Sequence, residues 1–314
     1  MQVLVSNIMM INERDRFDEV LRARGVTPIW PEVDQFMDEA QCLTLAGSFD
    51  GWLAGDDRIT ERVIAACLPR LRVISKWGTG IDSIDLAAAR RLGVPVCNSP
   101  GAFRDAVSEY AIGLLLTATR RLARTDRAIR AGGWPKGRFP GMTGRTMGVI
   151  GYGAIGQGVG QRARGLGMKV VAHDPYMTET PDGTELLDFD ALLARAEVIC
   201  LCCNQTAENH HLLNAEAFAR ARDGLIVVNV ARGGLIDEAA LVAALETGKI
   251  EAAALDVFET EPLPRDHPLL TFENVVVSSH NANSTVEAIE HVHANTLDNL
   301  FRHLSAGPAD DRAG

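Results

Sequence analysis

Residues 146–156 read TMGVIGYGAIG. The apolar run up to Ile150 has the look of a buried strand, and Gly151-Tyr152-Gly153-Ala154-Ile155-Gly156 fits the pattern G-x-G-x-x-G. Alone that pattern says little. Here a helix-like segment, AIGQGVGQRARGLG, follows it and leads into a second strand, KVVAHD, and this context gives the match its meaning. The first glycine permits a tight turn, the second lets backbone N–H groups approach a pyrophosphate, and the third lets helix and strand pack closely. Asp174 lies 23 residues after Gly151, where a carboxylate accepts hydrogen bonds from the adenosine ribose hydroxyls. Its charge repels a 2′-phosphate, so the stretch predicts NAD rather than NADP as cofactor. Gly158 and Gly160 cost on the order of 1 kcal/mol each in a helix interior relative to alanine, and close packing on the sheet is the reading they allow.

Toward the C-terminus the same rhythm continues. TMGVIGYG, KVVAHDPY, EVICLCC, LIVVNVARG, EAAALDVF and NVVVSSH are six short apolar runs with helical or loop segments between them, as a doubly wound dinucleotide-binding domain requires. Three of the later runs end in an ionisable residue: Arg232 in NVARGGLIDEAAL, Glu261 in DVFETEP and His280 in SSHNANST. Ligands of open α/β sheets bind at the C-terminal ends of the strands. A histidine that closes a strand can serve the fold alone. A guanidinium, a carboxylate and an imidazole converging on one rim are each costly without partners, and together they suggest a site. Glu261 beside His280 would orient the ring and raise its pKa, giving an acid/base group that works near neutral pH. Arg232 offers a bidentate fork for a carboxylate or carbonyl oxygen.

Toward the N-terminus, QVLVSN, FDGWLAG and LRVISKWG alternate with helix-like pieces such as DRFDEVLRARG and TERVIAACLPR, the pattern of a parallel sheet covered on both faces. A single long apolar helix is predicted over AVSEYAIGLLLTATRRLARTDRAIRAG, ending at Gly132 and Gly133. The Gly/Pro-rich loop GWPKGRFPGMTG after it is the clearest composition shift in the chain. STVEAIEHVHANTLDNLFRHL has helical periodicity, and the polar tail PADDRAG is expected to be disordered.

The 314 residues suffice for two domains, and a net charge of −10 with no basic run argues against a nucleic-acid partner. No stretch of 18 apolar residues predicts a membrane span, and the N-terminus reads as a strand rather than a signal peptide. The six cysteines, three of them in EVICLCCN, lack the paired spacing of a zinc site; they read as reduced core thiols of a cytoplasmic protein, and no metal is expected.

Taken together, the glycine fingerprint with Asp174, NVARGGLIDEAAL, DVFETEP and the late histidine resemble the D-isomer-specific 2-hydroxyacid dehydrogenase family, in its phosphoglycerate dehydrogenase-like branch. The likeness runs from LRVISKWGTGIDSIDLAAARRLGVPVCNSPG to STVEAIEH. It implies an α/β protein of two domains: a Rossmann-type NAD-binding domain, residues 101–284, inserted into a smaller flavodoxin-like substrate domain, residues 1–100 completed by 285–314. It implies Arg232, Glu261 and His280 as the catalytic set. Gly151, Gly153, Ala154, Ile155, Gly156, Asp174, Asn204, Thr206, Val230, Ala231, Asp256 and His280 would meet NAD, with Asp256 at the nicotinamide carboxamide. Lys76, Gly78, Thr79 and Gly80, with Arg232 and His280, would hold the substrate, the loop cradling its carboxylate in an anion nest. Lys76 can add charge there or be an exposed lysine at a strand end.

The chain departs from the family pattern in places. Ser279-His280-Asn281-Ala282-Asn283 stands where Pro-His-Ile-Gly or Pro-His-Ile-Ala is usual, which makes the rim more polar and leaves the substrate open. Cys202-Cys203-Asn204-Gln205-Thr206 replaces His-x-Pro-Leu-Thr. Phe103 stands where phosphoglycerate-type members commonly carry a polar residue, and Arg104 beside it can hold an anionic tail or be solvated. His210 and His211 are read as helix neighbours that cannot chelate together, His291 and His293 as a helix face, and Trp134 as interface packing in a dimer arm.

The reading is therefore an NAD-dependent dehydrogenase of a small anionic D-2-hydroxy or 2-oxo acid, working as a homodimer, with closure about hinges near Gly101 and Ser284. A glyoxylate or hydroxypyruvate reductase is the alternative within the class, and a non-enzymatic NAD-sensing corepressor-like dimer the alternative outside it. No C-terminal regulatory domain is expected.

Overall fold

In the computed structural model residues 1–305 are described, and the polar tail PADDRAG lies outside them. The chain divides into two compact units, Met1–Phe103 with the chain from Thr285 onward, and Arg104–Ser284.

The first unit is built on a parallel sheet of β1 (Gln2–Val5), β2 (Thr27–Ile29), β3 (Gly51–Ala54), β4 (Val73–Lys76) and β5 (Val96–Cys97), in the order β2-β1-β3-β4-β5. This is the flavodoxin-like order. The strands are short and apolar because both faces are covered. Trp52, Ile64, Ile74 and Phe49 fill one face. The helix Val286–Ser305 packs on β3 and β4, and Gly51 lets it approach, since a Cβ there would lie 2.7 Å from Leu300. Helix α1 (Arg14–Ala23) turns Phe17 and Leu21 inward. The strand β2 is absent from the sequence reading. It has three residues with Pro28 at its centre, which a sheet edge tolerates and a pattern search passes over.

The second unit holds β6 (Thr146–Ile150), β7 (Lys169–His173), β8 (Glu185–Leu186), β9 (Val198–Leu201), β10 (Leu225–Asn229), β11 (Ile250–Leu255) and β12 (Val275–Val277). All pairings are parallel, in the order β12-β11-β10-β9-β6-β7-β8. Counted from β6 this is the doubly wound order, with the reversal between β6 and β9. It has seven strands where the sequence suggests six; the addition, β8, is two residues long and carries no periodicity to read.

The predicted long helix is two. Helix α2 (Arg104–Thr119) is followed by α3 (Leu122–Arg130), with Arg121 between them in the left-handed region at φ 52°. The break comes where burial stops. Helix α2 buries Leu114, Leu115, Ala118 and Thr119, whereas α3 buries no residue, so nothing holds the second half to the first axis.

Helix α4 (Ala154–Gly165) follows the fingerprint, and its odd glycines now have a cause. A Cβ on Gly158 would stand 2.7 Å from Ser108 Oγ of α2, and one on Gly160 would stand 2.7 Å from the Tyr152 hydroxyl. Both glycines are close-approach sites, as the packing reading expects.

Candidate active site

The turn between β6 and α4 is held by glycines that the backbone requires. Gly151 has φ 86°, and a Cβ on it would lie 2.5 Å from the Cys203 amide nitrogen; a Cβ on Gly156 would lie 2.1 Å from the Gly151 carbonyl. Gly153 is different. Its φ of −67° suits any residue, and a Cβ there meets nothing within 4 Å, so no neighbour in the protein demands glycine. It is the N-cap of a twelve-residue helix, where N–H groups and the helix dipole favour an anion, and the space above it suits a pyrophosphate. The residues present thus fit a dinucleotide.

Asp174 follows β7. Its Oδ2 accepts the Tyr152 N–H at 2.9 Å and its Oδ1 the Tyr176 N–H at 3.0 Å, which fixes the carboxylate beside the glycine turn. The support behind it comes from residues that no local motif marks. Tyr152 is fully buried; its hydroxyl donates to Asp182 at 2.9 Å and pairs with Thr184 at 2.8 Å, and Arg164 reaches Asp182 at 3.1 Å. Burial alone would raise the Asp182 pKa, but bonds from Thr184 and Tyr152 and the Arg164 charge bring it down to about 2. The segment after Asp174 is tied to α4 through this group. Asn204 and Thr206 are exposed on the loop after β9, where Asn209 takes both into one turn: Thr206 N–H to Oδ1 at 2.7 Å, and Nδ2 to the Asn204 carbonyl at 2.8 Å.

The ends of β10, β11 and β12 carry Arg232, Glu261 and His280. Past β10, Val230 and Ala231 are buried, and Asn229 turns the chain by accepting the Ala231 N–H at 3.0 Å and donating to the Arg232 carbonyl at 2.9 Å. Gly233 then lies against the backbone of Phe258 and Glu259, where a Cβ would come within 1.8 Å. That contact brings the arginine turn against the turn bearing Glu261. A further tie joins helix α5 (Glu238–Glu246) to the same turn: Glu259 N–H donates to Glu238 at 2.8 Å, and Glu238 N–H to Glu259 at 3.2 Å.

Glu261 accepts the Phe258 N–H through Oε1 at 3.0 Å and faces His280 Nδ1 through Oε2 at 2.8 Å. Burial works to raise its pKa, yet the His280 bond and charge, the Phe258 amide and the Arg232 charge together hold it below the usual carboxylate range. An ionised carboxylate only accepts, so Nδ1 of His280 carries the hydrogen that it donates, and Nε2 is the ring nitrogen that can take up a proton. The histidine backbone sits in the left-handed region at φ 54°, a conformation costing on the order of 1–2 kcal/mol for a residue with a Cβ.

Asp256 is the residue that holds this turn. It is 1% exposed; its carbonyl accepts the His280 N–H at 2.7 Å, and its carboxylate oxygens accept the Asn281 and Ala282 N–H groups, each at 2.9 Å. The resemblance implies this residue at the nicotinamide carboxamide; in the structure each of its carboxylate oxygens accepts one backbone N–H of the histidine turn. Asn281 is exposed and Asn283 half-buried.

In the first unit, the loop Lys76–Gly80 leaves the end of β4. Lys76 is 4% exposed, so the surface alternative fails; its ammonium pairs with Asp56 at 2.9 Å and donates to the Trp77 carbonyl at 2.8 Å. Gly78 has φ 108°. The Gly78 carbonyl accepts from Ser99 N–H at 2.8 Å and the Thr79 carbonyl from Asn98 Nδ2 at 2.7 Å, so the loop's carbonyls are turned into its own unit. Phe103 is buried against Trp77, with ring centroids 5.7 Å apart. Arg104 reaches Gln161 at 2.8 Å and Asp105 at 3.4 Å.

Other singled-out residues fall elsewhere. His210 and His211 lie in a turn rather than a helix, stacked at 3.9 Å, with His211 2.9 Å from Glu259. His291 and His293 lie on the helix Val286–Ser305, His291 exposed and His293 1% exposed. Trp134 is 77% exposed. Among the described residues no group of His, Cys, Asp or Glu could hold a metal, and no helix is long and apolar enough to cross a membrane.

A doubly wound sheet with a glycine turn and a carboxylate after its second strand defines a dinucleotide-binding domain. Residues 112–282 match the model of the D-isomer specific 2-hydroxyacid dehydrogenase NAD-binding domain, more than half of the chain, and the protein belongs to that family. It is 42% identical over 236 residues to a D-3-phosphoglycerate dehydrogenase of Archaeoglobus fulgidus, covering 74% of this chain and 45% of that one. It is 40% identical over 252 residues to a hydroxypyruvate reductase of Thermotoga maritima, covering 79% and 82%. A D-lactate dehydrogenase of Aquifex aeolicus, solved with NAD and lactic acid, superposes with a TM-score of 0.85 at 25% identity, over 97% of this chain and 96% of that one. The chain thus spans about half the length of the phosphoglycerate dehydrogenase and most of the other two.

Proposed function

We propose that the protein is an NAD-dependent D-2-hydroxyacid dehydrogenase, interconverting a small 2-hydroxy acid and its 2-oxo acid. The observation that carries this reading is the His280–Glu261 pair at 2.8 Å, on the same strand-end rim as Arg232 in an NAD-binding domain. Bound NAD supplies the acceptor for the hydride that leaves C2 of the hydroxy acid. Nε2 of His280 takes the hydroxyl proton in that direction and returns it in the other, while Glu261 keeps the hydrogen on Nδ1 and offsets the charge that the ring acquires. Arg232 holds the carboxylate and the carbonyl oxygen that forms, and so fixes the reacting carbon. The loop Lys76–Gly80 is assigned the substrate carboxylate as well. The inward set of its carbonyls supports this, since it leaves the amide edge of the loop to an anion.

Gly151, Gly153, Ala154, Ile155 and Gly156 cradle the pyrophosphate in this reading, Asp174 takes the adenosine ribose, and Asn204, Thr206, Val230 and Ala231 line the cofactor's path. We take the protein to be a cytoplasmic homodimer. Free thiols at all six cysteines suit a reducing compartment. Leu122 and Ile129, one face of α3, and Trp134 and Phe139 beyond it expose apolar surface of the kind that a partner subunit covers. NADH oxidation in the presence of phosphohydroxypyruvate, hydroxypyruvate, glyoxylate or pyruvate tests the activity, and sedimentation tests the dimer.

A further inference from the structure

We propose that His293 is a positioning residue for the loop Lys76–Gly80: it pins Trp77, and it does so only while its imidazole is neutral. The proposal rests on the reading of that loop as the seat of the substrate carboxylate. Trp77 leaves β4 with its N–H bonded to the Ala54 carbonyl at 2.9 Å and its carbonyl taken by Lys76, one residue before Gly78. Its indole is 7% exposed and donates through Nε1 to His293 Nδ1 at 3.1 Å. Indole N–H is a donor and nothing else, so Nδ1 must present its lone pair and the one ring hydrogen must sit on Nε2. Phe17 closes the other side of the ring, its centroid 4.7 Å away.

A second proton has one place to go, Nδ1. There it would set N–H against N–H, and the bond that orients Trp77 would become a repulsion in a buried site. The charged groups facing the ring come from both helices packed around it: Glu13 and Arg16 at the start of α1 and Glu290 on the helix Val286–Ser305. Glu13 Oε1 lies 3.7 Å from Nε2, and Arg16 pairs with Glu13 at 2.6 Å and Glu290 at 2.5 Å. Burial of the imidazole, the largest influence, favours the neutral ring; the two carboxylates oppose it, Arg16 assists it, and the net pKa falls below 6.5. The loop is therefore pinned at neutral pH and released only as pH falls through this lowered pKa.

The test compares the whole parent protein with His293→Gln, whose amide oxygen accepts from the indole at every pH, and with His293→Leu, which accepts nothing. Trp77 emission is isolated by subtracting the spectrum of Trp77→Phe. In the parent it should titrate on the acid side of an ordinary histidine, quenched by the protonated ring, and in His293→Gln it should not. The KM for the 2-oxo acid should rise about five- to tenfold through the same transition, the worth of one buried hydrogen bond. NADH affinity should stay level. Relative to His293→Gln, which keeps the titration of His280, KM should rise in the parent only through this transition and in His293→Leu at every pH, with kcat little changed. Trp77 emission that titrates alike in the parent and His293→Gln would overturn the role of His293. A Trp77 transition that His293→Gln abolishes, with no change in KM, would leave the His293 contact standing and overturn the loop's role as the carboxylate seat.

Discussion

Nδ1 of His280 stands 2.8 Å from Oε2 of Glu261, and the two residues reach that distance from different strand ends by different means. Glu261 is placed by its own turn, through the Phe258 amide and the packing of Gly233 on Phe258. His280 is placed by a left-handed backbone that Asp256 holds with three bonds. The acid/base pair is therefore set by backbone geometry on both sides.

Removing the ring should expose its role. His280→Ala is expected to lower kcat by about 10²- to 10⁴-fold, the range for a general acid/base group, with NADH affinity unchanged. Steady-state rates beside an NADH titration by fluorescence check this.

The Asp256 turn should couple stability to rate. In Asp256→Asn one oxygen becomes an NH₂ group facing a backbone N–H, so a charge-assisted bond worth about 1.5–3 kcal/mol is lost. A lower Tm and a lower kcat should appear together. A fall in Tm without a fall in kcat would show that the turn does not set the ring.

Asp174→Ala should weaken NADH binding about tenfold or more, since hydrogen bonds to a charged group are lost, and should narrow the gap to NADPH. Affinities for the two cofactors, measured on the parent and variant, decide it. Equal affinities in the parent would contradict the assignment of NAD.

Gly160 and Tyr152 should behave as one unit. Gly160→Ala places a methyl 2.7 Å from the tyrosine hydroxyl and should cost roughly 1–3 kcal/mol by overpacking, despite alanine's better helix propensity. In Tyr152→Phe the same substitution should cost about 1 kcal/mol less, read as a coupling energy from denaturant unfolding of the four proteins.

Glu261 should also mark the stability curve. Its folded pKa lies below its unfolded value, so the stabilisation it gives is present above about pH 4.5 and disappears as pH falls through the folded value. Glu261→Gln should be less stable than the parent at pH 7, and the two should converge in acid.

Much of this was legible in the chain. The fingerprint at 151–156 and the strand-end positions of Arg232, Glu261 and His280 could be read because glycine turns and ionisable groups after apolar runs are local signals. What escaped depends on distant partners. Nothing near Tyr152 announces Asp182 and Thr184, about thirty residues on, and only Gly160 hints that a large side chain lies beneath the helix. Lys76 is buried with its charge met by Asp56, twenty residues before it, and His293 is buried against Phe17 and Trp77, from which the sequence separates it by hundreds of positions. The break at Arg121 escaped for a related reason: the helical pattern runs on after the neighbours that bury it have ended.

The most direct measurement is NADH consumption by the purified protein against a panel of 2-oxo acids, from phosphohydroxypyruvate and hydroxypyruvate to glyoxylate, pyruvate and branched analogues, with NADH binding followed in parallel. Turnover of at least one of them, yielding the D-hydroxy acid, is the predicted result. NADH bound tightly with every acid left unchanged would contradict the account, since the His280–Glu261 pair would then stand beside the cofactor and transfer no proton.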